Sequence, residues 1–140
     1  MAITSNASAT WSGDLPSGSG TATLGTGSKF DMTWKARAEE GDASTPEELI
    51  AGAHASCFSM ALSNTLAEAG HAPESLATTA KVSFVAGEGI TTSVLTVTGR
   101  VPGIDQSQFQ DYAEQAKAGC PVSQALAGVD IQLESATLES

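Results

Sequence analysis

The sequence predicts an α+β fold, on three observations. Short segments of alternating polarity, separated by glycine-rich turns, fill the first third of the chain. A long uncharged apolar stretch follows and carries a helix-start signature, and strand-like segments then return. The resulting order, βββ–α–ββ–αα–β, keeps strands and helices largely apart, which is the pattern of α+β domains.

Residues 5–12 (SNASATWS), 20–25 (GTATLG) and 29–36 (KFDMTWKA) read as strands, with turns at Gly13, Gly18–Gly20 and Gly25–Gly27. Alternation puts Phe30, Met32 and Trp34 on one face of the third strand and Asp31, Thr33 and Lys35 on the other. Trp11 and Trp34 are expected to pack in a core or an interface. Thr45 is a good N-cap, Pro46 suits the first helical position, and Glu48 completes a capping box. The helix then runs to a stop at Gly70. It carries no charged residue between Leu49 and Leu66 and is apolar on nearly every side, so it is expected to be buried. Residues 75–86 and 91–101 form a hairpin about Gly87–Gly89. Asp105 or Ser107 caps a second helix that is amphipathic through Phe109, Tyr112 and Ala116. Pro121 opens a short third helix, and 129–138 closes the chain as a strand.

With 140 residues the chain is expected to be a single domain over 1–140, large enough to bury a core. Its mean hydropathy, −0.02, is that of an ordinary globular protein. Six Lys and Arg stand against sixteen Asp and Glu, a formal net charge of −10. Phosphate backbones and anionic membrane surfaces need clustered cations, so nucleic acid and membrane are excluded as partners. The six cations, Lys29, Lys35, Arg37, Lys81, Arg100 and Lys117, are scarce enough that each is worth locating. The first residues lack a basic region followed by an apolar one, and no apolar run reaches bilayer length, so a cytoplasmic protein is expected. Neither a CxxC pair nor a Cys/His cluster at zinc-ligand spacing is present, so neither metal nor cofactor is expected.

Function therefore turns on two cysteines, Cys57 and Cys120, which stand 63 residues apart. A reducing compartment keeps thiols free, so a structural staple is the weaker reading. Cys57 lies mid-helix in HASCFSMAL, where a free cysteine often serves as a small core hydrophobe. Cys120 sits at a helix start between Gly119 and Pro121, where free amide N–H groups stabilise a thiolate. Local chemistry alone makes Cys120 the more reactive thiol. A thiolate that attacks a peroxide becomes a sulfenic acid, and a second thiol condenses with it to a disulfide without any cofactor.

TPEELIAGAHASCFSMAL and KAGCPVSQAL resemble the two cysteine motifs of the OsmC/Ohr family of organic hydroperoxide peroxidases. His54, VPGID at 101–105 and Val122 favour the OsmC branch. The resemblance covers nearly the whole chain in matching order. It implies an OsmC-like fold with antiparallel sheets wrapped around long buried central helices in an intertwined homodimer. Cys57 matches the peroxidatic cysteine and Cys120 the resolving one, which forms the intramolecular disulfide. Arg37 matches the arginine, in the strand ahead of the central helix, that stabilises the thiolate and polarises the peroxide. Glu47 matches the acid of an N-P-E motif that orients this arginine, with Thr45 standing where Asn is usual. The implied substrates are organic hydroperoxides, reduced in preference to hydrogen peroxide, and the implied reductant is a lipoyl-type dithiol. Phe58, Met60 and Trp34 are expected to line an apolar pocket for the alkyl group.

Glu47 and Cys57 are ten residues apart, about 15 Å on a straight helix. Either the helix breaks near Gly52, or a second subunit supplies Arg37 or Glu47 to Cys57. His54, one turn before Cys57, is expected to pack or hydrogen-bond, and His71 to be exposed. The rival functions are a Cys-nucleophile acyl hydrolase with His54 as base, and a non-catalytic redox sensor or binding domain.

Overall fold

A computed structural model describes residues 1–39 and 41–139. The chain divides into two compact units, Met1–Glu48 and Leu49–Ser140.

In the first unit, β1 (Ala7–Ser12), β2 (Ser19–Leu24) and β3 (Lys29–Met32) form an antiparallel sheet in the order β1-β2-β3. Trp11 faces Gly20 across the β1–β2 pair, and Gly20 faces Met32 across β2–β3. A Cβ on Gly20 would stand 2.7 Å from the Trp11 ring, so only glycine leaves the indole its place. The expected third strand is shorter than its alternation suggested. It ends at Met32, and Trp34–Ala38 forms a short helix, α1. The cause is Thr33, whose hydroxyl accepts from the Ala36 amide at 3.1 Å and caps the turn. Trp34, Lys35 and Arg37 are therefore helical, and the shared strand face proposed for Phe30, Met32 and Trp34 does not extend to Trp34.

The long helix, α2, spans Pro46–Glu68, with the boundary between the units in its first turn. Both halves of the capping box form: the Glu48 amide donates to Thr45 Oγ1 and the Thr45 amide to Glu48 Oε2, each at 3.0 Å. At the other end Gly70 has φ +88°, and the His71 amide donates to Leu66 O at 2.8 Å. The Gly70 amide donates to Ala67 O, completing a Schellman stop. The helix is not buried on every side, contrary to the expectation from its composition. His54, Phe58, Leu62 and Leu66, four residues apart, form a fully buried stripe. Gly52, Ala53, Ser56, Asn64 and Ala67 are exposed, and Met60 is 72% exposed.

The second unit adds β4 (Ser75–Val85), β5 (Gly89–Arg100), α3 (Gln106–Gly119), α4 (Pro121–Ala125) and β6 (Asp130–Leu138). The sheet order is β4-β5-β6. The hairpin is antiparallel as expected, but β6 pairs parallel to β5, so this sheet is mixed. The crossover through α3 and α4 delivers the chain to the same end of β5, which the strand count alone could not show. Asp105, not Ser107, caps α3, in a capping box with Gln108. The Gln106 side chain donates from Nε2 to Ala136 O and accepts at Oε1 from the Leu138 backbone N–H, tying the helix start to β6. The core forms where three periodicities meet: the stripe of α2, alternate residues Leu95 and Val97 of β5, and Phe109, Ala113 and Ala116 of α3. Cys120 continues the α3 stripe and is fully buried. Gly99 lies under the Phe109 ring, where a Cβ would come within 2.6 Å of Cζ.

Candidate active site

The two cysteines, far apart in sequence, meet in the second unit. Cys57, on α2, is half-buried and hydrogen-bonds with Cys120, which is the N-cap residue of α4; both are free thiols. The Val122 amide, in the first turn of α4, also donates to the Cys57 sulfur. The helix start that marked Cys120 as the reactive thiol thus acts on Cys57, because Cys120 turns inward into the core stripe of α3. Burial pushes the Cys57 thiol up, and its hydrogen bond with Cys120 pushes it further. The Val122 amide works in the opposite sense, favouring the thiolate.

His54, three residues before Cys57 on α2, is fully buried. Its Nδ1 is 2.6 Å from Ser93 Oγ on β5 and its Nε2 is 2.8 Å from Ser123 Oγ on α4. Burial holds the imidazole below its ordinary value. Both ring nitrogens are engaged by serines, so His54 has none to offer Cys57, and a Cys–His hydrolase pair is not built here. Ser93 and Ser123 are the site residues that sequence reasoning missed. A polar residue at an inward position of β5, in step with Leu95 and Val97, was the available signal, since a buried hydroxyl needs a partner. His71, expected to be exposed, is half-buried beside Gly103.

Arg37 and Glu47 meet in the first unit. Arg37 Nε donates to Glu47 Oε1 at 2.8 Å, with side chains 31% and 6% exposed. Arg37 lies on α1 and not on a strand, and Glu47 sits in the first turn of α2, whose amide dipoles favour a carboxylate. Glu47 Oε2 is buried with no hydrogen-bond partner among the described residues. A pocket of about 320 Å³ opens beside the pair, lined by Trp11, Leu15, Met32, Trp34 and Arg37 among others. Both tryptophans are accounted for by this pocket, and Trp11 remains 42% exposed. Of the three residues expected to line an apolar pocket, Trp34 does so. Phe58 is instead part of the core, and Met60 borders a separate cleft with Ser59, Asn64 and Leu76.

The chain is 45% identical to the Peroxiredoxin OsmC of Escherichia coli (strain K12) and to that of Shigella flexneri, each over 143 residues. These alignments cover 96% of this chain and 100% of each relative. Among solved structures, an organic hydroperoxide resistance protein from Elizabethkingia anophelis aligns with a TM-score of 0.73 at 24% identity. That alignment covers 99% of this chain and 100% of the other. An OsmC protein from Legionella pneumophila aligns with a TM-score of 0.68 at 25% identity, covering 94% and 96%. The sequence model of the family described as OsmC-like protein matches residues 39–134. On the family match, the near full-length relatives and the shared fold, this chain is a member of the OsmC-like family.

Proposed function

We propose that this protein is a cysteine-based peroxidase that reduces organic hydroperoxides, and hydrogen peroxide less well, in the defence against oxidative stress. The observation that carries this reading is the pairing of Cys57 with Cys120, two free thiols that stand 63 residues apart in sequence. The relatives named peroxiredoxin support the reaction class. The family match reaches from the first unit into the second, which supports reading 1–140 as one OsmC-like domain.

In this mechanism the Cys57 thiolate attacks the distal oxygen of ROOH. The O–O bond breaks, the alkoxide leaves and takes a proton to become the alcohol, and Cys57 becomes a sulfenic acid. The Cys120 thiol then attacks the Cys57 sulfur; an S–S bond replaces S–O and water departs. A lipoyl-type dithiol reduces the disulfide, and no metal or cofactor takes part. Burial holds the Cys57 thiol protonated, so the cycle needs a cation, and we assign that duty to Arg37, oriented by Glu47. The apolar pocket beside Arg37 suits an alkyl group R.

We further propose that the working form is a homodimer in which one subunit supplies Arg37 and Glu47 to the partner's cysteines. Helix α2 has no break at Gly52, and ten residues of it separate Glu47 from Cys57, about 15 Å of rise. The uncharged exposed face around Met60 and the unpartnered Glu47 Oε2 fit a second copy of the chain. A reducing, cytoplasmic setting suits the cycle, with neither nucleic acid nor membrane as a partner.

The test is turnover of cumene hydroperoxide with dihydrolipoamide, with peptide mass spectrometry for a 57–120 link. Cys57→Ser abolishes turnover, and Cys120→Ser stops after one oxidation with a lingering sulfenic acid. Full activity in Cys57→Ser would overturn the assignment. Mixing Arg37→Ala with Cys57→Ser protomers restores activity if the site is shared between subunits, and fails to do so if it is not.

A further inference from the structure

Three features at the start of α4, from its N-cap to its first turn, engage α2. The Cys120 sulfur and the Val122 amide both meet the Cys57 sulfur, and Ser123 Oγ meets His54 Nε2 at 2.8 Å. His54 in turn is fixed by Ser93 Oγ on β5. Helix α4 has only five residues, so its own backbone contributes little rigidity. The Ser123–His54–Ser93 chain is fully engaged at both imidazole nitrogens. His54 and Ser93 are wholly buried and Ser123 nearly so, where such bonds are strongest and hardest to replace.

We propose that His54 and Ser123 are positioning residues for the resolving step. Anchored through Ser93, they clamp α4 against α2 so that Cys120 stays in reach once Cys57 is oxidised. This rests on the reading of Cys57 and Cys120 as the redox pair. The step they serve is Cys57–SOH + HS–Cys120 giving the disulfide and water, with the thiol proton leaving on the departing hydroxide. Its competitor is a second peroxide that takes the sulfenic acid to sulfinic acid. A loosened α4 lengthens the life of the sulfenic acid and shifts this partition, even in a folded protein.

The experiment is rapid quench of the full-length protein with cumene hydroperoxide, resolving Cys57 oxidation, 57–120 disulfide formation and Cys57 sulfinic acid by peptide mass spectrometry. Ser123→Ala, which removes one hydroxyl, slows disulfide formation about tenfold, the ratio one buried hydrogen bond is worth. Sulfinic acid then accumulates at lower peroxide. His54→Leu does the same, and His54→Gln, which keeps a hydrogen-bonding group toward Ser123, recovers most of the rate. Gly99→Ala, a destabilising change elsewhere in the core, leaves the partition unchanged. Ser123→Ala that is folded and forms the disulfide at the wild-type rate overturns the clamp and leaves the peroxidase reading standing. Wild-type protein that forms no link overturns the peroxidase reading, and the clamp with it.

Discussion

Replacing Cys120 with alanine removes the proposed resolving thiol, and the structure gives a less obvious consequence for the thiol that remains. The Cys57 thiol is pushed up first by burial and then by its hydrogen bond with Cys120, against the pull of the Val122 amide. In Cys120→Ala the burial and the amide persist, while the hydrogen bond and the charge interaction with the Cys120 sulfur are both lost. A weak thiol hydrogen bond is worth about 0.5–1 kcal/mol, so freeing Cys57 from it is worth about two- to fivefold in the rate of a thiolate reaction. Labelling of Cys57 by iodoacetamide and its first oxidation by hydroperoxide both quicken in that ratio. Turnover stops, because the sulfenic acid has no partner. The lost sulfur leaves a small cavity at a fully buried position, which costs about 1–2 kcal/mol of stability. Labelling kinetics followed on the Cys57 peptide, beside single-turnover stopped flow, measure the effect. A folded Cys120→Ala protein whose Cys57 labels no faster than wild type would refute the inference that Cys120 holds the thiol protonated.

Arg37→Lys cannot reproduce the Nε bond to Glu47 and lowers peroxidase turnover tenfold or more, about what one charge-assisted hydrogen bond contributes. Because Arg37 is 31% exposed, the accompanying stability change stays near or below about 1 kcal/mol by denaturant titration. His54 sits below its ordinary 6.5 in the fold, whereas the unfolded chain takes up that proton near 6.5. Its contribution to stability is therefore complete above that pH and lost as pH falls through the folded value. Wild type consequently loses more stability than His54→Gln between about pH 7.5 and about pH 5 in urea titrations. Gly99→Ala drives a methyl into the Phe109 ring and costs about 1–3 kcal/mol, read as a lowered Tm. Thr45→Ala removes one half of the α2 capping box and costs about 1 kcal/mol in the same assay.

The features legible in the sequence were those written over short distances. The capping box at Thr45 and Glu48 and the stop at Gly70 formed as their residue types dictate, since each needs partners only three to five positions away. The hairpin about Gly87–Gly89 and the α+β order were legible for the same reason. Alternation failed at Trp34 because a single hydroxyl, on Thr33, outweighed it by capping α1. The apolar composition of α2 showed that the helix needed cover but not which part of the chain supplies it. One stripe meets the core and the face around Met60 does not.

The sequence by itself determined which residues are candidates for chemistry: two thiols in long motifs, an arginine among few cations, and an acid freed from capping by its neighbour Glu48. Only the tertiary structure decided what acts on what. Local position marked Cys120 as the activated thiol, yet the amide of its own helix start falls on Cys57, because the buried stripe of α3 carries Cys120 inward. The link from Ser93 through His54 to Ser123 spans 39 and 69 residues of chain and leaves no local pattern. The parallel pairing of β6 likewise depends on where a crossover returns. Hydrogen bonds closed over such distances are set by packing, and packing depends on every periodicity in the chain at once.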